Sequence, residues 1–147
     1  MEISQMTLSD LEEIKDTLYT DFDDFWTYTC FLEELKNPNS MYFIARIDGQ
    51  IIGFAGIWQA VDDIHITNIV VRKDFRQKGI GSKLLEKLIE TAVSRKVVSL
   101  TLEVNCHNQS AIRLYEKYNF KHLGTRKKYY NGTDDAYIMT LFFLNIF

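Results

Sequence analysis

Cysteine, proline and histidine are scarce in this chain, and each shortage closes off a class of protein. The 147 residues include two cysteines (Cys30 and Cys106), one proline (Pro38) and three histidines (His65, His107 and His122). Two distant cysteines form neither a disulfide framework nor a metal-ligand spacing, so free thiols in a reducing cytosol are expected. The histidines lack metal spacing and lack a serine or cysteine partner, so they receive no catalytic assignment, and no metal is expected. No uninterrupted apolar run approaches membrane-spanning length. Met1-Glu2-Ile3-Ser4-Gln5 offers no basic stretch ahead of an apolar one, so no signal peptide is expected and a cytoplasmic location is. No linker, repeat or low-complexity segment interrupts residues 1–147, which read as one domain long enough for a core without staples.

What is present is ordinary in bulk and uneven in placement. Hydrophobic residues make up 46% and charged residues 25%, as in a soluble globular domain, with aromatics raised to 14%. The net charge of −3 conceals an asymmetry. Residues 1–40 carry ten acids against Lys15 and Lys36, whereas residues 72–87 carry six bases against Asp74 and Glu86. A basic middle suits a polyanionic cofactor; an acidic N-terminal part suits a cationic second substrate. With a pI near 5.6 the chain has no nucleic-acid footprint.

Periodicity predicts the elements. A short strand at Ile3–Met6 precedes a helix capped by Thr7 or Ser9 and running to about Tyr19. Phe22 to Trp26 reads as a loop with aromatic anchors, and a short helix over Phe31–Leu35 ends at Asn37-Pro38. Met41–Ile47 and Gln50–Trp58 flank an Asp48-Gly49 turn, a strong hairpin signal. A strand over His65–Val71, a long helix over Gly81–Ser94 and a buried-type strand over Val97–Val104 follow. A helix over Gln109–Tyr118 and strands over Phe120–Arg126 and Ala136–Phe142 complete the series. The order predicts an α+β domain: a mixed, mostly antiparallel sheet of six to seven strands with about four helices on its faces.

The run Arg76-Gln77-Lys78-Gly79-Ile80-Gly81-Ser82 lies between a β-branched strand and an amphipathic helix. Backbone N–H groups of such a loop, the positive end of the helix, Arg76 and Lys78 together make a seat for a phosphate or pyrophosphate. The run lacks the lysine-serine ending of a P-loop and the third glycine of a dinucleotide fingerprint. Further on, Leu102-Glu103-Val104-Asn105 ends a strand. Asn108 caps the next helix, and Tyr115 lies two turns down that helix.

Arg76-x-x-Gly79-x-Gly81, Leu102-Glu103-Val104 with Asn108-x-x-Ala111-x-x-Leu114-Tyr115, and Arg126-x-x-Tyr129-Tyr130 with Asp135-Ala136-x-Ile138-Met139 occur in one order. On these motifs the chain resembles the GNAT N-acetyltransferase superfamily, and within it the RimI-like branch that acetylates the N-terminal alanine of a ribosomal protein. The resemblance covers essentially the whole chain, best from Trp58 to Met139. It implies the GNAT fold and acetyl-CoA as co-substrate. It further implies that backbone groups of Ile69, Val70 and Val71 hold the pantetheine arm, and that the N–H groups of Gln77, Lys78, Gly79, Ile80, Gly81 and Ser82 hold the pyrophosphate. Asn108 and Tyr115 would sit beside the thioester, with Glu103 as base and Tyr115 as acid; Trp26, Tyr129 and Tyr130 would wall the acceptor site. Asn119 replaces the family's usual glycine before Phe120, and asparagine is the next residue able to end a helix in the left-handed conformation. The tail, Phe142 to Phe147, is apolar and extends the last strand or covers a partner surface.

Elementary chemistry supports those assignments. A protonated amine cannot attack a thioester, so a carboxylate must take its proton, and the leaving thiolate must gain one, which a phenol can give. At pH 7 roughly a tenth of a protein α-amine is neutral, against under about a thousandth of a lysine. An α-amine therefore asks least of one glutamate, so a protein N-terminus followed by a basic residue is the expected acceptor. A small amine, amino acid or polyamine is the alternative; so is a catalytically silent acyl-CoA sensor. The expected assembly is a monomer or weak homodimer.

Overall fold

The computed structural model describes residues 1–22 and 27–143. Its framework is a seven-stranded sheet in the order β1-β2-β3-β4-β5-β7-β6. The strands are β1 (Glu2–Gln5), β2 (Ser40–Ile47), β3 (Gln50–Ala60), β4 (Asp63–Val71), β5 (Ser99–Asn105), β6 (Lys121–Tyr130) and β7 (Asp134–Phe142). All neighbours run antiparallel except β4 and β5. The helices are α1 (Leu8–Glu13), α2 (Leu18–Asp21), α3 (Tyr28–Leu35), α4 (Ile80–Ser94) and α5 (Gln109–Lys117). The predicted α+β class and fold are those observed.

Two apolar clusters lie on opposite faces of the sheet. Leu11, Ile14, Leu18, Phe22 and Phe31 from the N-terminal helices pack on Tyr42, Ile44, Phe54 and Val70. On the other face Ile80, Leu84, Leu85, Leu88 and Ala92 of α4 join Ile112 and Phe120 against Phe43, Ala55, Ile57, Ile66, Leu100, Leu102 and Val104. Strand β3 is covered on both sides, which is why Ile51 to Ile57 reads as a continuous buried run rather than an alternation. Gly56 is required there, because a Cβ would stand 2.1 Å from the Tyr42 ring.

The predicted turns hold. Asp48 and Gly49 both have positive φ, 50° and 81°, as a two-residue hairpin of the twisted sense needs. Asn119 sits at φ 72° and ends α5. The first helix departs from expectation. Thr7 caps it in a reciprocal arrangement with Asp10, but it stops at Glu13 and continues as a single tight turn, Lys15–Thr17, before α2. The Thr17 hydroxyl donates to the Ile14 carbonyl at 3.3 Å, so a side chain competes for a helical acceptor where the break falls. Strand β6 also runs four residues past its predicted end at Arg126.

One irregularity decides the rest. Opposite Gly56 and Ile57 of β3 stand Asn68 and Ile66, leaving Thr67 as an extra residue that bulges β4. A bulge bends and twists its strand. Strands β4 and β5 pair only at Asp63–Ser99, Ile64–Leu100 and His65–Thr101, whereas β5 stays paired with β7 along its whole length. Beyond His65 the two strands part and open a wedge in the middle of the sheet.

Candidate active site

The wedge is a cleft of about 780 Å³. Its walls are Ile66 to Val70 of β4 and Leu102 to Asn105 of β5; Asn108, Ala111 and Tyr115 come from α5, and Tyr129 to Asn131 from the β6–β7 hairpin. Because β5 has left, the β4 edge facing the wedge has no strand partner. Arg72 donates to the Ile52 carbonyl at 2.8 Å, so by antiparallel alternation the Phe54–Val70 pair is hydrogen-bonded. Ile69 and Val71 then turn their backbone groups toward the gap, while Val70 buries its side chain in the core.

The glycine loop follows directly. Gln77 (φ 62°) and Gly79 (φ 81°) are left-handed, and Gly79 is the cap residue of α4. Alternation of this kind turns successive N–H groups the same way, and the first-turn N–H groups of α4 have no helical acceptor. Arg76 Nε donates to the Val71 carbonyl at 3.0 Å, bracing the loop against the end of β4. Lys78 lies over the Phe75 ring. A Cβ at Gly81 would sit 3.9 Å from Val71 and 4.0 Å from Leu114, so loop, strand end and α5 converge. The Asn108 side chain accepts from the Ala111 N–H at 3.2 Å, the capping predicted for it.

Glu103 projects from β5 with its side chain 11% exposed. On one side His65 Nε2 lies 3.8 Å from Oε1; on the other, Arg126 Nε lies 3.5 Å from Oε2, which is buried and makes no hydrogen bond among the described residues. The sequence alone assigns His65 no role. Its partner is 38 positions away, and only the His65–Thr101 register shows that Glu103 stands two residues further on the same face. Burial pushes the His65 pKa below its ordinary value; Glu103 pulls it upward and Arg126 adds to the depression. The imidazole is therefore neutral at neutral pH.

Tyr115 stands on α5 with its ring 5.8 Å from Phe120. Burial, with a smaller contribution from Tyr130, pushes its phenol up to about 12. The hydroxyl makes no hydrogen bond among the described residues. Tyr130 is likewise raised to about 12, by burial first and then by Glu103. Tyr129 packs edge-on against Tyr130 at 5.0 Å, and the Arg126 guanidinium covers Tyr129 at 5.5 Å. Asn105 donates to Asp134 at 3.0 Å, which ties this hairpin to β5, and within the hairpin Asp135 accepts from the Lys128 N–H at 2.8 Å. Glu103, Tyr115, Asn108, Tyr129 and Tyr130 thus meet around one cleft. Trp26, the third expected wall, lies outside the described residues, as does the tail from Leu144 to Phe147. No helix among the described residues is long and apolar enough to cross a membrane.

Residues 8–120 match the model of the acetyltransferase (GNAT) family. A Bacillus subtilis (strain 168) protein, provisionally assigned as a ribosomal protein bS18-alanine N-acetyltransferase, is 34% identical over 93% of this chain and 92% of its own length. A Sulfolobus acidocaldarius N-alpha-acetyltransferase is 29% identical over 94% of this chain and 90% of its own. The crystal structure of the ribosomal-protein-S18-alanine N-acetyltransferase from Escherichia coli superposes with a TM-score of 0.87 at 31% identity, covering 95% of this chain and 92% of that one.

Proposed function

The chain belongs to the acetyltransferase (GNAT) family, and we propose that it transfers the acetyl group of acetyl-CoA to the α-amine of a protein N-terminus, with alanine of a ribosomal protein as the leading acceptor. The observation that carries this reading is the wedge. It exposes the β4 backbone edge on one side and brings Glu103, His65 and Tyr115 to the same opening. Relatives named for α-amine acetylation, alike over nearly their full lengths, support the choice of acceptor.

The cofactor-binding parts fit an acyl-CoA. The edge groups of Ile69 and the Val71 N–H, which have no strand partner, are of the kind a pantetheine amide pairs with, as an added strand would, while the Val71 carbonyl is held by Arg76. Val70 holds the strand to the core. The N–H groups of Gln77 to Ser82, with Lys78 nearby, suit a pyrophosphate. Acetyl-CoA supplies an activated acyl carbon and a thiolate leaving group; the chain supplies position and proton transfer.

His65 and Glu103 divide the base function. Two acceptors 3.8 Å apart can each receive one N–H of the same ammonium, Glu103 through Oε1 and His65 through Nε2. Between them they take one proton, freeing the nitrogen lone pair. The new C–N bond forms as the C–S bond breaks, and the Tyr115 hydroxyl, which lines the same cleft, would be the donor to the sulfur. Holding amine and thioester together contributes the largest share, since orientation of this kind can be worth about 7–11 kcal/mol.

The test is direct. Purified protein with acetyl-CoA and a peptide beginning Ala-Arg should release free thiol and yield peptide heavier by one acetyl group at its N-terminus. Glu103→Gln should lower kcat by about 10²-fold or more, within the range of general-base contributions. A protein that binds acetyl-CoA but releases no thiol with any amine would establish the sensor reading instead.

A further inference from the structure

A second, smaller cavity of about 360 Å³ adjoins the cleft on the face of β5 that bears Glu103. His65 lines both, so the two spaces adjoin at its side chain. The floor is polar. Ser99 and Thr140, the two buried polar residues among those described, both lie in it. Ser99 donates to Asp63 Oδ1 at 2.5 Å, and Thr101 and Thr140 share a hydrogen bond at 3.0 Å. Asp63 has no cationic partner among the described residues and is exposed to the groove. Trp58 and Phe142 flank it, 39% and 59% exposed.

A carboxylate with no cationic partner among the described residues, set between two accessible aromatic side chains, matches the chemistry of a lysine or arginine side chain. The carboxylate pairs with the charge, and the rings cover the cation and its aliphatic stem. The spacing suits an acceptor already held at Glu103. Ser99 and Glu103 are four residues apart on one strand, about 13 Å at a strand's rise per residue. An extended peptide advances at most about 3.3–3.6 Å per residue. The side chain reaching Asp63 therefore belongs to the third, fourth or fifth residue behind the reacting amine.

We infer that this groove is an acceptor subsite, in which Asp63, Trp58 and Phe142 read a cationic side chain at the third to fifth position of the peptide. It rests on the peptide-acceptor reading above and extends it to selectivity. The occupant is a peptide, held by one charge contact beyond the reaction centre.

The experiment uses the full chain and hexapeptides beginning with alanine, each carrying a single arginine or its glutamine replacement at position three, four or five. For the wild type, replacing arginine at one of these positions should raise KM about tenfold while kcat stays within about twofold. In Asp63→Asn the two peptides should become equivalent, and in Trp58→Leu the preference should shrink. Both variants should keep the wild-type kcat, which also reports a native fold. Equal KM values for arginine and glutamine at all three positions in an active wild-type enzyme would overturn the subsite, as would a preference that survives in Asp63→Asn. Absence of acetyl transfer to every peptide by the wild type would instead refute the peptide-acceptor reading.

Discussion

Replacing Tyr115 with phenylalanine isolates the proposed donor on the thiolate side, because the hydroxyl has no other described partner to lose. Its phenol is pushed up to about 12, whereas an alkyl thiol titrates near 8.5. Complete proton transfer from phenol to thiolate would therefore be uphill by about 3.5 pH units, roughly 5 kcal/mol. That is too costly for a free-standing proton donation. On the proposed mechanism the hydroxyl instead acts as a hydrogen-bond donor to the developing sulfur charge, its own proton being replaced from the acylated nitrogen. A hydrogen bond to a charged group contributes about 1.5–3 kcal/mol. Tyr115→Phe should accordingly lower kcat between about ten- and one-hundred-fold, with little change in stability, since an unpaired hydroxyl gives none. The assay is thiol release under saturating substrates, beside calorimetric affinity for acetyl-CoA and a thermal melt. Because the phenol stays protonated throughout the working range, neither limb of the pH profile below pH 10 should change. A kcat within twofold of wild type would refute the donor role. A tenfold loss of acetyl-CoA affinity with unchanged kcat would assign Tyr115 to binding alone.

Four further outcomes follow from particular residues. His65→Gln should lower kcat/KM at pH 7 and shift the acid limb of the pH–rate profile, because the neutral imidazole no longer contributes; an unmoved limb would remove His65 from the base pair. The same residue makes stability pH-dependent. Its folded pKa lies below the unfolded value near 6.5, so the unfolded chain binds more protons, and stability is full above about 6.5 and declines as pH falls below it. Denaturant midpoints measured across that window should fall less in His65→Gln than in the wild type. Gly56→Ala places a methyl 2.1 Å from the Tyr42 ring and should cost about 1–3 kcal/mol as overpacking, lowering the melting temperature by several degrees. Gly79→Ala meets no atom within 4 Å but must hold φ 81°, so it should weaken acetyl-CoA binding more than it impairs packing; unchanged affinity would argue against the loop as the phosphate seat.

Much of the fold could be read along the chain, for reasons tied to individual residues. The Asp48-Gly49 and Asn119 turns need left-handed backbone, which few residue types accept. The apolar spacing of Ile80, Leu84, Leu85, Leu88 and Ala92 admits only one helix face. The first helix was harder. Leu11, Ile14 and Leu18 keep helical spacing across the break, so the competing Thr17 hydroxyl leaves no mark on the pattern. Strand β6 ran longer than expected because nearly all of it is exposed, which erases the alternation that marks a strand.

By itself the sequence determined the order of elements, the glycine loop, and the placing of Glu103 on one strand and Tyr115 on the helix that follows. Those depend on neighbours within a few turns of chain, where spacing is geometry. Only the tertiary structure decided that β4 bulges at Thr67 and parts from β5, that His65 and Arg126 stand on either side of Glu103, and that Asp63 faces a groove beside them. Such contacts join residues tens of positions apart, and their distances are set by sheet register and strand splay, which are collective properties of the packed sheet.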